Sequence, residues 1–271
     1  MPIAASAGQF ESRSQVSRLL RSRQSESGEG AGVLRKLGII GGTSWSSTAL
    51  YYEHINRGIA QRLGGFHSAR LTIESVDFAD LVSLEDANDW DGVAKLNIDA
   101  AQKLQAAGAE GVLIACNTTH KVYDAVAANV DVPVLHIADA AGDKLVADRM
   151  SRVALLGTRF TMTEQYVRGR LEARGVNLVP IEQSWITEVD RIIFEELARG
   201  RVVRDSQRKL KTLITELAKQ RVQAVVLGCT ELVLTVDTRA NVLPVYDTTA
   251  IHARAAVEWM LTEEEQARAA A

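Results

Sequence analysis

From residue 36 onward, short aliphatic runs alternate with longer amphipathic ones. The short runs predict strands at 37–41, 70–76, 111–115, 132–136, 152–156, 176–180, 223–227 and 242–245. Between them lie apolar stripes at helical spacing. Tyr51, Ile55, Ile59 and Leu63 form one that stops at Gly64-Gly65, and Val93, Leu96, Ala100 and Leu104 form another that stops at Gly108. Strands alternating with helices imply βαβ units, and therefore parallel sheets covered on both faces.

The pattern also repeats. Leu37 to Thr43 is echoed by Val153 to Thr158, Gly111 to Thr118 by Ala224 to Thr230, and Val132-Pro133-Val134 by Leu243-Pro244-Val245. Seventy-five positions separate Gly41 from Cys116 and 72 separate Gly157 from Cys229. The expected fold is α/β, with two similar doubly wound parallel-sheet halves related by a pseudo-twofold and an active site in the cleft between them. The halves are expected at 36–145 and 146–247, with a final helix at about 248–263 crossing back to pack on the first. Residues 1–35, rich in Ser, Arg, Gln and Gly, read as a disordered tail. Arg13, Arg18, Arg21 and Arg23 among serines suggest a transit peptide, against which Glu11, Glu26 and Glu29 count.

Composition narrows the function. The 271 residues are 46% hydrophobic, enough for a substantial core, and the formal net charge is −3. No basic stripe with interleaved aromatics is present, so no nucleic-acid partner is expected. The apolar runs are too short to span a bilayer, so no membrane partner is expected either. Two cysteines make no disulfide framework, and a cytoplasmic, reducing setting is the default.

Those cysteines are the candidates for chemistry. Cys116 and Cys229 each follow a buried-strand pattern and precede a helix start, the end of a parallel sheet where ligands bind. There a helix dipole and free N–H groups stabilise a thiolate. A lone cysteine in such a place is usually a buried structural residue. Two at the same place in two repeats point instead to opposed acid/base thiols, one removing a weakly acidic proton from a carbon and the other returning one to the opposite face. Thr43 and Ser44, with the groups following each cysteine, are candidate donors to the charge that develops. His120 is placed to orient or tune Cys116, and Asp247 to brace the second cysteine loop. No metal spacing occurs around His120 and His136, and Gly38 to Gly42 does not fit a dinucleotide loop, so neither metal nor cofactor is expected.

Gly41-Gly42-Thr43-Ser44-Trp45, Cys116-Asn117-Thr118-Thr119-His120 and Gly228-Cys229-Thr230-Glu231, with Tyr51-Tyr52 and Ile55-Asn56, resemble motifs of the aspartate/glutamate racemase family, including its bacterial broad-specificity branch. The resemblance covers about 36–262. It implies a cofactor-independent amino-acid racemase with paired thiols at Cys116 and Cys229. It also implies substrate contacts at Thr43, Asn117, Thr118, Thr230 and Glu231, and a possible homodimer. Members acting on acidic substrates resemble one another in offering an arginine after the second strand and a lysine in the second half. Here residues 77–91 contain no Lys or Arg but do contain Glu85, and Glu188 falls near the lysine position. With Glu85 and Glu188 as substrate contacts, a neutral or basic amino acid is expected over aspartate. The rival readings are a hydantoin racemase or maleate isomerase on the same scaffold, and a catalytically silent amino-acid-binding protein.

Overall fold

The computed structural model describes residues 34–237 and 240–261. Most of the expected tail, and the transit-peptide reading with it, lies outside the described residues. Leu34 and Arg35, assigned to that tail, instead belong to the fold. Leu34 is buried and the Arg35 N–H donates to the Met260 carbonyl at 3.0 Å.

The first half runs β1 (Leu37–Gly41), α1 (Trp45–Leu63), β2 (Leu71–Ser75), α2 (Phe78–Asp86), α3 (Trp90–Ala106), β3 (Gly111–Ile114), α4 (Tyr123–Ala127), β4 (Val134–Leu135) and α5 (Ile137–Ala147). The second runs β5 (Arg152–Gly157), α6 (Arg159–Thr163), α7 (Gln165–Glu172), β6 (Asn177–Leu178), α8 (Gln183–Arg191), α9 (Arg204–Lys219), β7 (Ala224–Gly228), β8 (Val245–Asp247) and α10 (Thr248–Met260). The strands form two four-stranded sheets, β2-β1-β3-β4 and β6-β5-β7-β8, parallel throughout and identical in order.

Alternation along each strand sends side chains into two helical layers. Leu37 and Ile39 meet Tyr51, Ile55 and Ile59 of α1 and Ala253, Ala256 and Met260 of α10, whereas Ile40 meets Leu81 of α2 and Val93 of α3. In the second sheet, Ala154 and Leu156 face α8 and α9, and Val153 and Leu155 face α7. Helix α10 therefore covers the first sheet. Its counterpart α5 does the converse, burying Ala138, Ala141 and Leu145 against β5 and β7 of the second sheet. Each half is closed by a helix that packs on the sheet of the other half or links to it.

Two strands start later than the hydrophobic pattern suggests. The runs at 132–136 and 242–245 become Val134–Leu135 and Val245–Asp247, because Pro133 and Pro244 have no N–H to give to a ladder. Their carbonyls still accept, from Val112 and Val225, both at 2.9 Å.

Candidate active site

Four loops at the carboxyl ends of β1, β3, β5 and β7 converge on one cleft. Cys116, half-buried, and Cys229, buried, both line it and both are free thiols. Glycine ends three of these strands for steric reasons. A Cβ on Gly157 would lie 2.7 Å from the Gly228 carbonyl, its own ladder partner, and a Cβ on Gly41 would lie 2.5 Å from the Thr48 side chain.

The first loop turns at Gly42, whose φ is +82°, and continues into Ser44, a non-glycine residue at φ 69°. That path presents Thr43 to the cleft, where its Oγ1 is buried without a protein partner. Ser44 lies behind Thr43 and bonds Ser46 and Ser47 at 2.7 and 3.3 Å, so it supports the loop rather than lining the cleft.

The second loop carries Cys116, Asn117 and Thr118 into a short 3-10 turn, Thr118–Val122. His120 clamps it from behind. The Ile137 N–H donates to Nε2 at 3.1 Å, which puts the ring proton on Nδ1, and Nδ1 donates to the Cys116 carbonyl at 2.6 Å. His120 thus holds the peptide of Cys116, not its thiol. Burial pushes His120 down to about 4, so the imidazole is neutral. Asn117 donates to Thr248 Oγ1 at 3.2 Å, and Thr118 Oγ1 meets Thr158 Oγ1 at 3.1 Å, tying this loop to the second half.

The fourth loop holds the second thiol. Cys229 Sγ donates to Glu231 Oε2 at 3.1 Å, and Thr230 Oγ1 donates to the same oxygen at 2.7 Å. Ser47, from the first turn of α1, donates to Glu231 Oε1 at 3.1 Å and lies 2.5 Å from Thr230 Oγ1. Ser47 and Thr158 were not anticipated. Thr158 is the repeat mate of Thr43, a correspondence the sequence already contained.

The thiols differ from the expectation that helix starts would favour thiolate. Burial pushes Cys116 up to about 11, helped by the negative charge of Glu85 and opposed by the Thr119 N–H and hydroxyl. Cys229 is raised well above its ordinary value by burial, then by the charge of Glu231 and its hydrogen bond to it. The turns after the cysteines are five-residue 3-10 segments with little dipole to offset desolvation.

Of the acids between 77 and 91, Asp77 and Asp89 cap α2 and α3 through the N–H groups of Ala79 and Gly92. Only Glu85 reaches the cleft. It is 7% exposed, has no hydrogen-bond or ion-pair partner among the described residues, and is pushed up to about 7, chiefly by burial and then by Asp86, against the more distant charges of Arg159 and Lys121. Glu188 does not reach the cleft. Its carboxylate binds Arg191 at 2.9 and 3.0 Å and Lys209 at 2.9 Å, which hold it down to about 2. The wall beyond it is Ile193, Phe194 and Ala198, presented by a π-turn at Ile192–Glu196. Phe78 and Leu81 face the cleft from α2, and among the described residues no Lys or Arg lines it. Asp247 caps α10 through Thr249 N–H at 2.9 Å and is not a lining residue.

Among the described residues, no group of three or more His, Cys, Asp or Glu side chains is arranged to hold a metal ion, and no helix is long and apolar enough to cross a membrane.

Comparison with known proteins places this geometry. The broad specificity amino-acid racemase RacX of Bacillus subtilis is 25% identical over 173 residues, spanning 64% of this chain and 74% of that protein. A crystal structure of a candidate Asp/Glu racemase from Yersinia pestis superposes with a TM-score of 0.79 at 41% identity, over 84% of this chain and all of that one. An aspartate racemase homologue from Pyrococcus horikoshii superposes with a TM-score of 0.73 at 33% identity, over 84% of this chain and 99% of that one. The family model for Asp/Glu/Hydantoin racemase matches residues 40–256, and the chain belongs to that family.

Proposed function

We propose that this protein racemises an amino acid without a cofactor, with Cys116 and Cys229 as the paired acid and base. The observation that carries the reading is the arrival of both thiols, from equivalent strand ends of two like sheets, in a single cleft. The names of the relatives support the reaction class: RacX is a broad specificity amino-acid racemase.

In this reading the substrate carboxylate sits among Thr43 Oγ1, Asn117, Thr118 and Thr230. As the α-proton leaves, charge moves onto that carboxylate, and preorganised donors stabilise it. One sulfur takes the α-proton as a thiolate while the other delivers its thiol proton to the opposite face. The side chain extends toward Phe78, Leu81 and Phe194, with Glu85 at the margin. A dicarboxylic substrate would bring a second carboxylate toward an unpaired buried acid with no cation lining the cleft, an arrangement that costs both repulsion and desolvation. The substrate is therefore an amino acid with a neutral or basic side chain.

The test is proton NMR of the reduced protein in D₂O with L- and D-forms of lysine, arginine, ornithine, homoserine, aspartate and glutamate. The expected result is loss of the α-hydrogen signal with inversion, fastest for a basic or neutral side chain. It should be abolished in Cys116→Ser and in Cys229→Ser. Faster turnover of aspartate than of the others would overturn the substrate assignment. Full racemisation by either cysteine variant would overturn the mechanism.

A further inference from the structure

The two thiols are chemically alike but are not held alike. Cys229 Sγ points its proton at Glu231 Oε2, 3.1 Å away, and that carboxylate is fixed by Thr230 and Ser47. A hydrogen bond to a carboxylate requires the sulfur to be the donor, so it persists only while Cys229 is a thiol. Around Cys116 the arrangement is opposite. Thr119 is 0% exposed, and its Oγ1 has no hydrogen-bond partner in the protein. Three residues beyond Cys116, in the turn that its loop enters, that hydroxyl and the Thr119 N–H both favour an anion on the Cys116 sulfur. A buried hydroxyl without a partner is costly unless something nearby can accept its proton in a hydrogen bond. A thiolate at Cys116 is that acceptor.

Resting on the two-thiol reading above, we propose that Thr119 and Glu231 are positioning residues that polarise the pair, Thr119 reserving a donor for a Cys116 thiolate and Glu231 holding Cys229 as the thiol. The free enzyme is then set to take an α-proton at Cys116 and return one from Cys229. In that step the Cα–H bond breaks and a Cys116 S–H bond forms. The Cys229 S–H bond then breaks and a new Cα–H bond forms on the other face, leaving a Cys229 thiolate beside Glu231. The free enzyme regains its starting form when Cys116 gives its proton to water and Cys229 takes one from it.

Other charged groups face these sulfurs. Glu85, from α2, and Glu231 oppose a Cys116 anion, and a Cys116 anion would in turn oppose ionisation of Tyr51, Tyr166 and Cys229. Glu231 opposes a Cys229 anion by direct contact. At Cys229 the Glu231 N–H favours the anion while its carboxylate holds the thiol; at Cys116 the Thr119 N–H and hydroxyl favour the anion, and among the described residues no carboxylate accepts from the sulfur.

The experiment is alkylation by iodoacetamide across pH, each cysteine followed by mass spectrometry, on the full chain without substrate. Midpoints of the pH dependence, rather than rates, remove the difference in access between the two thiols. Cys116 is expected to titrate at least one pH unit below Cys229. Thr119→Val should raise the Cys116 midpoint by about one unit, a tenfold loss of thiolate at fixed pH, without moving Cys229. Thr119→Ser should restore it. Glu231→Gln should lower the Cys229 midpoint and leave Cys116 in place. A residue with only a packing role would not give this selective pattern with serine rescue. Cys229 titrating first, or coincident midpoints, would overturn the proposal, as would a folded Thr119→Val protein with an unmoved Cys116. Because no substrate is used, the result stands apart from the racemisation test.

Discussion

The Nδ1 of His120 lies 2.6 Å from the carbonyl oxygen of Cys116, while its Nε2 accepts the Ile137 N–H at 3.1 Å. One buried ring therefore satisfies two backbone groups and joins the loop of the first thiol to the start of α5. His120→Ala would leave both groups unpaired. The expected cost is about 2–6 kcal/mol, at roughly 1–3 kcal/mol per unsatisfied buried group, read as a lowered urea midpoint. Racemisation should fall more than stability at 25 °C accounts for, since the Cys116 peptide is no longer fixed. An unchanged midpoint would show that water replaces the ring at no cost.

The same ring predicts acid sensitivity. His120 is pushed down to about 4, and burial also lowers His136 and His252. The folded state thus binds fewer protons than the unfolded chain, so stability is fully present above about 6.5 and is lost as pH falls toward 4. His120 alone corresponds to about 3 kcal/mol over that window, at about 1.4 kcal/mol per pH unit. Urea unfolding at pH 7.5, 6 and 5 should show a falling free energy. A flat profile would mean that the rings are solvated or relaxed in the native state.

Glu85 acts with the opposite sign. Its carboxyl is pushed up to about 7, so the stability it contributes is present below its unfolded value of about 4.5 and is lost as pH rises through 7. Glu85→Gln should stabilise the protein at pH 8 by about 1–3 kcal/mol and have little effect at pH 4. The same variant should raise KM for lysine more than for homoserine, because only the former offers Glu85 a cation. Equal stabilisation at both pH values would show that Glu85 is neutral throughout.

Much of this was legible in the chain, for a physical reason. A parallel sheet covered on both faces needs continuous aliphatic strands, so β1, β3, β5 and β7 stand out, and the repeat fixed their partners and the shared position of Cys116 and Cys229. Glu85 was legible as an acid in a stretch lacking cations. What stands behind the lining was not. Ser47 and Thr119 sit in the first turns of elements that begin at the motifs, and only the packing of α1 against the fourth loop shows that Ser47 reaches Glu231. Glu188 was misplaced because a π-turn at Ile192–Glu196 brings Ile193 and Phe194 to the cleft while Arg191 and Lys209 hold the acid outside it. A hydrophobic pattern at 3.6 residues per turn carries no mark of such a turn.

Two glycines with nearly the same φ test the strain on the first loop. Gly42 has φ +82° and Gly64 has φ +74°, so alanine at either meets the penalty of a left-handed conformation, about 1 kcal/mol. Their surroundings differ. A Cβ at Gly64 meets nothing within 4 Å, whereas one at Gly42 would sit 2.0 Å from the Val76 carbonyl oxygen and 2.6 Å from its nitrogen. The Val76 N–H itself bonds the Gly41 carbonyl at 3.0 Å, so the clash cannot be relieved without opening the end of the β1–β2 ladder and moving Thr43. Gly64→Ala should therefore lose about 1 kcal/mol and keep full racemisation. Gly42→Ala should lose about 3 kcal/mol or more and most of its activity, with kcat affected as well as KM. If both variants lose the same stability and both remain active, backbone conformation alone sets the cost, and the close approach to Val76 does not place Thr43.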